Sequence, residues 1–174
     1  MRDLTGPMQA NAIADLLQSI FVAEALSPSD PLWILSGWIS DIPIVENEAR
    51  EFSVIDPDWP TGKVRLSQVL RTIVSKGGRV ALILRDVEHN KSFLERLAPL
   101  RREFPSQIWS TLGEYEHQKC IVGKNFDLAG SMNFTRLGTT ENGEHLIYRT
   151  SPEVVSSRRL ELANQWTNAF DGGL

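Results

Sequence analysis

The 174-residue chain is predicted to be an α/β protein, an α/β/α sandwich around a mixed central sheet. Three observations carry this reading. Helical and strand periodicities alternate along the chain, the pattern of helices layered on a sheet. Two short runs, Leu32–Leu35 and Val80–Leu84, are apolar throughout, as strands covered on both faces are. The length and the 41% hydrophobic content suit one compact domain spanning 1–174 with a real core.

Taken in order, Ile13, Leu16, Leu17, Ile20 and Phe21 follow the i, i+3, i+4, i+7 spacing of an amphipathic helix. Ser27-Pro28-Ser29-Asp30-Pro31 ends it. Leu32–Leu35 followed by Trp38-Ile39 reads as a buried strand. Residues 41–62, acidic and holding three prolines, read as a long loop, the kind that is more often functional or mobile than connective. Leu66, Val69, Leu70, Ile73 and Val74 mark a second helix that Gly77-Gly78 stops. The strand Val80–Leu84 comes next, then a helix over Asn90–Glu103 with Phe93, Leu94, Leu97 and Leu100 inward. A strand over Gln107–Leu112 precedes a hairpin, Lys119–Gly123 and Phe126–Gly130 about a turn at Lys124-Asn125. Glu144–Tyr148 is a further strand. A last helix starts near Pro152, with Val155, Leu162, Trp166 and Phe170 as its apolar stripe.

Composition narrows the function classes. The net charge is −4, which argues against a basic protein that coats nucleic acid. The charge is unevenly placed. Residues 1–62 are acidic, with Arg2 and Arg50 their only cations, whereas residues 63–103 carry ten basic side chains from Lys63 to Arg102. That block reads first as solvated helix faces and second as a flank that draws in a polyanion. The single cysteine, Cys120, excludes an internal disulfide framework and a multi-cysteine zinc site. No secretory signal opens the chain and no apolar run is long enough to span a bilayer, so the expected compartment is the cytoplasm.

The chemistry-bearing residues gather late in the chain. His117-Gln118-Lys119 is followed by Gly130-Ser131-Met132-Asn133-Phe134-Thr135 and then Asn142-Gly143-Glu144. On a strand, His117 and Lys119 share a face, as do Ser131 and Asn133. If the two strands pair, a nucleophile or base, a cation, a hydroxyl and an amide converge. Lysine neutralises non-bridging phosphate oxygens, serine and asparagine donate hydrogen bonds, and histidine attacks phosphorus or shuttles a proton. Gly130 is read as letting the backbone approach a ligand. A buried Glu144 beside His117 would fix its tautomer and support the imidazolium form.

This pattern resembles the HKD motif of the phospholipase D superfamily, His-x-Lys followed by Gly-Ser-x-Asn, and the downstream Asn-x-Glu of its small bacterial nucleases. The resemblance covers residues 117–148 and implies a metal-independent phosphodiesterase on a phospholipase D-like fold with a single HKD motif. It implies that His117 forms a phosphohistidine and that a second histidine protonates the leaving oxygen, then activates water. Lys119 and Asn133 would hold the phosphate with help from Ser131. No metal and no cofactor are implied. Single-motif members complete their site by homodimerising, so two copies of His117 are expected across a two-fold axis. The sequence departs from the motif at Lys124, where the family has aspartate, and Asp127 is not read as its substitute.

Further segments, Asp15–Ile20, Trp38–Pro43 and Glu88–Leu94, resemble the DpdK family, phospholipase D-like components of bacterial gene clusters that insert 7-deazaguanine bases into DNA. That resemblance implies DNA as substrate, a modification–restriction or anti-phage setting, and partner proteins of such a cluster.

Other residues are weighed against simpler roles. His145 is expected to be structural and His89 to be exposed. Cys120, between catalytic-face positions, should point into the core. Asp41, following the first strand, is placed near the site. Trp33, Trp38, Trp59, Trp109 and Trp166 read mainly as core, with base stacking the other role open to Trp38 and Trp59. Two further functions compete: a weakened subunit that binds DNA or a partner, favoured by Lys124, and a lipid or small-molecule phosphodiesterase. The acidic N-terminal third and the lack of a basic or amphipathic membrane-binding terminus weigh against lipids.

Overall fold

The structure, a computed structural model, describes residues 2–5, 10–113, 118–135 and 145–166. The strands are β1 (Arg2–Thr5), β2 (Leu32–Ser36), β3 (Pro43–Asn47), β4 (Gly62–Arg65), β5 (Val80–Arg85), β6 (Ile108–Gly113), β7 (Cys120–Val122), β8 (Asp127–Gly130) and β9 (His145–Arg149). The helices are α1 (Ala10–Leu26), α2 (Leu66–Ser75), α3 (Glu88–Glu103) and α4 (Pro152–Trp166).

Seven strands form the main sheet in the order β1-β9-β8-β7-β2-β5-β6. β2, β5 and β6 run parallel, and β7, β8, β9 and β1 continue from β2 in antiparallel pairs. The sheet is therefore mixed, and it changes character at β2. Side chains alternate across it as the pleat requires. Ile34, Leu82 and Ile121 join the core beneath α1, α2 and α3. Trp33, Leu35, Ile83, Cys120 and Val122 form a second cluster with Leu162 of α4. The expected sandwich is present, and Cys120 is buried as expected. All five inward residues predicted for α2 are fully buried. Gly77 sits at φ +87°, and the amides of Gly77 and Gly78 bond to the carbonyls of Val74 and Ile73, so the double glycine closes α2 by a left-handed cap.

Three elements differ from the sequence reading. Residues 41–62 are not one open loop. They contain β3, which pairs with β4 to form a separate two-stranded sheet. The chain between the strands is packed: Asn47 accepts from the Phe52 amide and donates to the Pro60 carbonyl, and the buried Trp59 indole donates to Thr72 Oγ1 of α2 at 2.9 Å. The strand β1 carried no periodicity, because it is four residues long and its partner β9 lies at the far end of the chain. Trp38-Ile39 lies beyond β2, with Ile39 making a single bridge to Phe134. Phe170 lies outside the described residues.

Half of the basic block is paired with carboxylates within the fold. Lys63 pairs with Glu46, Arg71 with Glu103, Arg79 with Asp30, Lys91 with Glu88 and Arg96 with Asp41. Lys76 donates to the carbonyls of Ala25 and Ile55. These contacts favour the structural reading of that block over a polyanion funnel. No described helix is long and apolar enough to cross a membrane.

The end of the sheet away from Lys119 and Ser131 holds a buried carboxyl. Glu24 of α1 accepts from the Ser29 amide and hydroxyl at 2.8 and 2.7 Å. Burial pushes its pKa up, against the opposing pull of the Ser29 bonds and the charges of Lys124 and Arg159. A carboxyl with a raised folded pKa holds its proton more tightly folded than unfolded. Its stabilising contribution is full below the unfolded value of roughly 4.5 and is lost as pH rises through the folded value. Glu24→Gln is therefore expected to flatten the decline in thermal midpoint above about pH 4.5. An unchanged pH profile in the variant would refute this.

Candidate functional site

The central strand β2 places the site. Its C-terminal end lies beside the start of β7, because Leu35 pairs with Cys120. β7 and β8 then bring Lys119 next to Gly130, whose amide donates to the Lys119 carbonyl at 3.1 Å. Ser131 follows immediately. The main chains of the Lys119 and Ser131 segments thus meet at the edge where the parallel strands end and ligands of open α/β sheets bind.

Strand parity resolves which way these residues face. Gln118 and Cys120 both contact Arg158 of α4, at 2.6 and 3.7 Å. Lys119 is therefore assigned to the opposite face, with Ile121. After β8 the alternation continues: Met132 and Phe134 join Leu128 and Ile121 in the larger core, so the exposed Ser131 and half-buried Asn133 lie across the strand from that face and reach the edge beyond its end. Ser131 is tied to the start of β9 through its amide, which donates to the His145 carbonyl, and its Oγ, which accepts from the His145 amide, both at 3.0 Å. His145 is exposed, and its main chain carries this structural link.

Asn133 is oriented from β2. Its Oδ1 accepts from the Trp38 amide at 3.2 Å. An amide whose oxygen accepts a main-chain N–H presents its nitrogen as a donor, which is what a phosphate oxygen requires. The segment after β2 is held from several sides. Ser36 Oγ donates to the Trp38 carbonyl at 2.6 Å and accepts from the Phe134 amide at 3.3 Å. The Ser40 amide donates to the Phe134 carbonyl at 2.8 Å. From α3, the buried Asn90 accepts from the Ile39 amide at 2.8 Å and donates to the carbonyls of Gly37 and Arg85.

His117 and Glu144 lie outside the described residues. Lys119, Ser131 and Asn133 are the site residues the structure places. Three sequence readings need correction. Gly130 serves the fold rather than a ligand: a Cβ there would lie 1.9 Å from the His145 carbonyl oxygen, so only glycine lets β8 and β9 approach. Asp41 is committed to α2, accepting from the Ser67 amide and hydroxyl at 2.8 and 2.9 Å and pairing with Arg96. It caps a helix whose flanking residue, Arg65, has no oxygen to offer. Trp38 is not core; the residue is 44% exposed and its main-chain amide bonds to Asn133. His89 is exposed as expected, and because α3 begins at Glu88 rather than Asn90 it lies in the helix's first turn, with Nε2 2.9 Å from Ser40 Oγ. The signal for Trp38 and His89 was positional: both follow the C-terminal ends of central strands.

Lys124 stands at the other end of the hairpin from Lys119 and Ser131. Its ammonium donates to Ser27 Oγ at 2.6 Å and its amide to Ser29 Oγ at 2.7 Å, fastening the β7–β8 turn to the α1–β2 connection. Asp127 also lies at that end, buried and paired with Arg149 at 2.8 Å. Among the described residues, no three His, Cys, Asp or Glu side chains gather as a metal ion's ligands would.

No protein-family model matches the chain, and no curated protein matches its sequence. Solved structures do match its fold. NucT from Helicobacter pylori superposes with a TM-score of 0.59 at 14% identity, over 92% of this chain and 91% of that one. Nuc from Salmonella typhimurium, a phospholipase D family member, gives 0.53 at 13% identity over 95% and 92%. TrmBL2, an archaeal chromatin protein with a novel mode of DNA binding, gives 0.56 at 10% identity over 95% of this chain and 51% of that one. The protein thus has a phospholipase D-type α/β fold, shared with Nuc over nearly the whole of both chains.

Gly130→Ala is expected to lower stability by about 1–3 kcal/mol through the clash with β9, read as a fall in the urea midpoint. Wild-type stability in that variant would contradict the close strand approach.

Proposed function

We propose that the protein is a metal-independent phosphodiesterase that cleaves DNA. The observation that carries this reading is the placement of Lys119, Ser131 and Asn133 at one edge of a fold shared with Nuc. In this reading Lys119 and the Asn133 amide hold the non-bridging oxygens, and Ser131 assists. His117 attacks phosphorus as the P–O bond to the leaving oxygen breaks, a second histidine protonates that oxygen and then activates the water that hydrolyses the phosphohistidine, and Glu144 orients the imidazole. One copy supplies one such histidine, so two copies complete the site about a two-fold axis. The segments resembling the DpdK family support a place in a DNA modification–restriction or anti-phage system with partner proteins.

A second reading is a DNA-binding subunit without hydrolysis. It is favoured by the likeness to TrmBL2 and by Lys124, which serves the fold at the position of the motif aspartate.

Cleavage of DNA in excess EDTA is expected, and His117→Ala should reduce it at least about a thousand-fold. Lys119→Ala should reduce it by about 10²–10³-fold. Binding without cleavage would instead establish the second reading.

Light scattering at micromolar concentration should give a dimer mass. A fully active monomer would overturn the shared site.

A further inference from the structure

Trp38 has no role in the catalytic scheme, yet the fold fixes it at the site. We propose that Trp38 is a stacking platform for a nucleobase next to the phosphate held at Asn133, so that the site takes a DNA strand whose base is unstacked. This rests on the phosphodiesterase reading for the place of the phosphate.

Four of the five tryptophans belong to the cores: Trp33 and Trp59 are buried, and Trp109 and Trp166 pack against the second cluster. Trp38 belongs to neither cluster and is 44% exposed. An exposed indole on a loose segment would mean little. Here the main chain is pinned on both sides of it. The Trp38 amide bonds to Asn133, its carbonyl to Ser36, and the Gly37 carbonyl and Ile39 amide to Asn90. Rigid backbone under a solvent-facing aromatic is the arrangement of a binding platform, because little chain entropy is lost when a ligand lands on it.

Proximity selects the ligand. The Trp38 amide is 3.2 Å from the oxygen of Asn133. In a nucleotide one sugar separates base from phosphate, so a phosphate at Asn133 has its base within reach of the neighbouring residue Trp38, whose exposed indole we assign to it. Every base has a π-face, so the platform tolerates sequence. In a duplex those faces are already stacked, which favours single-stranded or locally opened DNA. The pairing of Arg71, Arg79 and Arg96 with carboxylates fits this reading, since stacking supplies affinity that a wholly cationic groove otherwise would.

The test uses the full chain in a His117→Ala background, so that binding is measured without hydrolysis. Trp38→Leu should weaken binding of a short oligothymidylate by about tenfold and leave binding of an abasic strand of equal length unchanged. Trp38→Phe should keep most of the affinity. Oligothymidylate should quench the fluorescence that separates wild type from Trp38→Phe, and the abasic strand should not. The fluorescence difference decides the matter even if the leucine variant fails to fold. Equal weakening for both strands, or no weakening and no selective quenching, overturns the platform. Base-selective binding without EDTA-resistant cleavage by the His117 protein would keep the platform and reject the hydrolase reading. Cleavage with unselective binding would do the reverse.

Discussion

The structure depends on β2 being paired on both edges, parallel to β5 on one side and antiparallel to β7 on the other. Its five residues are buried on both faces of the sheet. Each such apolar side chain contributes about 1.5–3 kcal/mol on removal from water, and the strand's hydrogen bonds are satisfied along both edges. A shift of one residue would exchange the faces, taking Trp33 and Leu35 away from α4 and Ile34 away from the larger core. The change from parallel to antiparallel pairing has a consequence for chemistry. It sets the ends of the parallel strands beside the start of β7 and the end of β8, so residues a hundred positions apart meet at one edge.

Polar side chains that do no chemistry hold that edge in shape. Asn90, buried in α3, satisfies three main-chain groups at the ends of β2 and β5. Ser36 links the Trp38 carbonyl to the Phe134 amide. A buried main-chain group without a partner is costly, so these side chains fix the connection after β2 in one conformation. Asn133 is part of the same network. Its carbonyl oxygen is used by the fold, and this orients the donor end that the proposed reaction needs. Support for the fold and positioning for chemistry are here the same hydrogen bond.

The opposite end of the sheet is organised around charge. The buried Glu24 and Ser29, the half-buried Arg159 and the exposed Lys124 form a group joining α1, the β7–β8 turn and α4. Lys124 is therefore explained by the packing of the hairpin. A lysine at the position of a motif aspartate looks like damage to a site when read in sequence. In three dimensions it is a turn residue whose amide and ammonium each find a hydroxyl.

The sequence by itself determined the layered α/β class, the buried faces of α1, α2 and α3, and the pairing of the hairpin that carries Lys119 and Ser131. These follow from local periodicity and from glycine and proline punctuation, which are physical properties of neighbouring residues. The phospholipase D-like motif was also legible there. The tertiary structure decided the rest. It showed that residues 41–62 build a hairpin, because short strands with prolines gain their stability from packing against α1 and α2 rather than from their own pattern. It moved Gly130 and Asp41 from the chemistry to the fold. It took Trp38 out of the core and set it beside Asn133. Such assignments depend on contacts between distant segments, and no periodicity along the chain encodes which surface a side chain will meet.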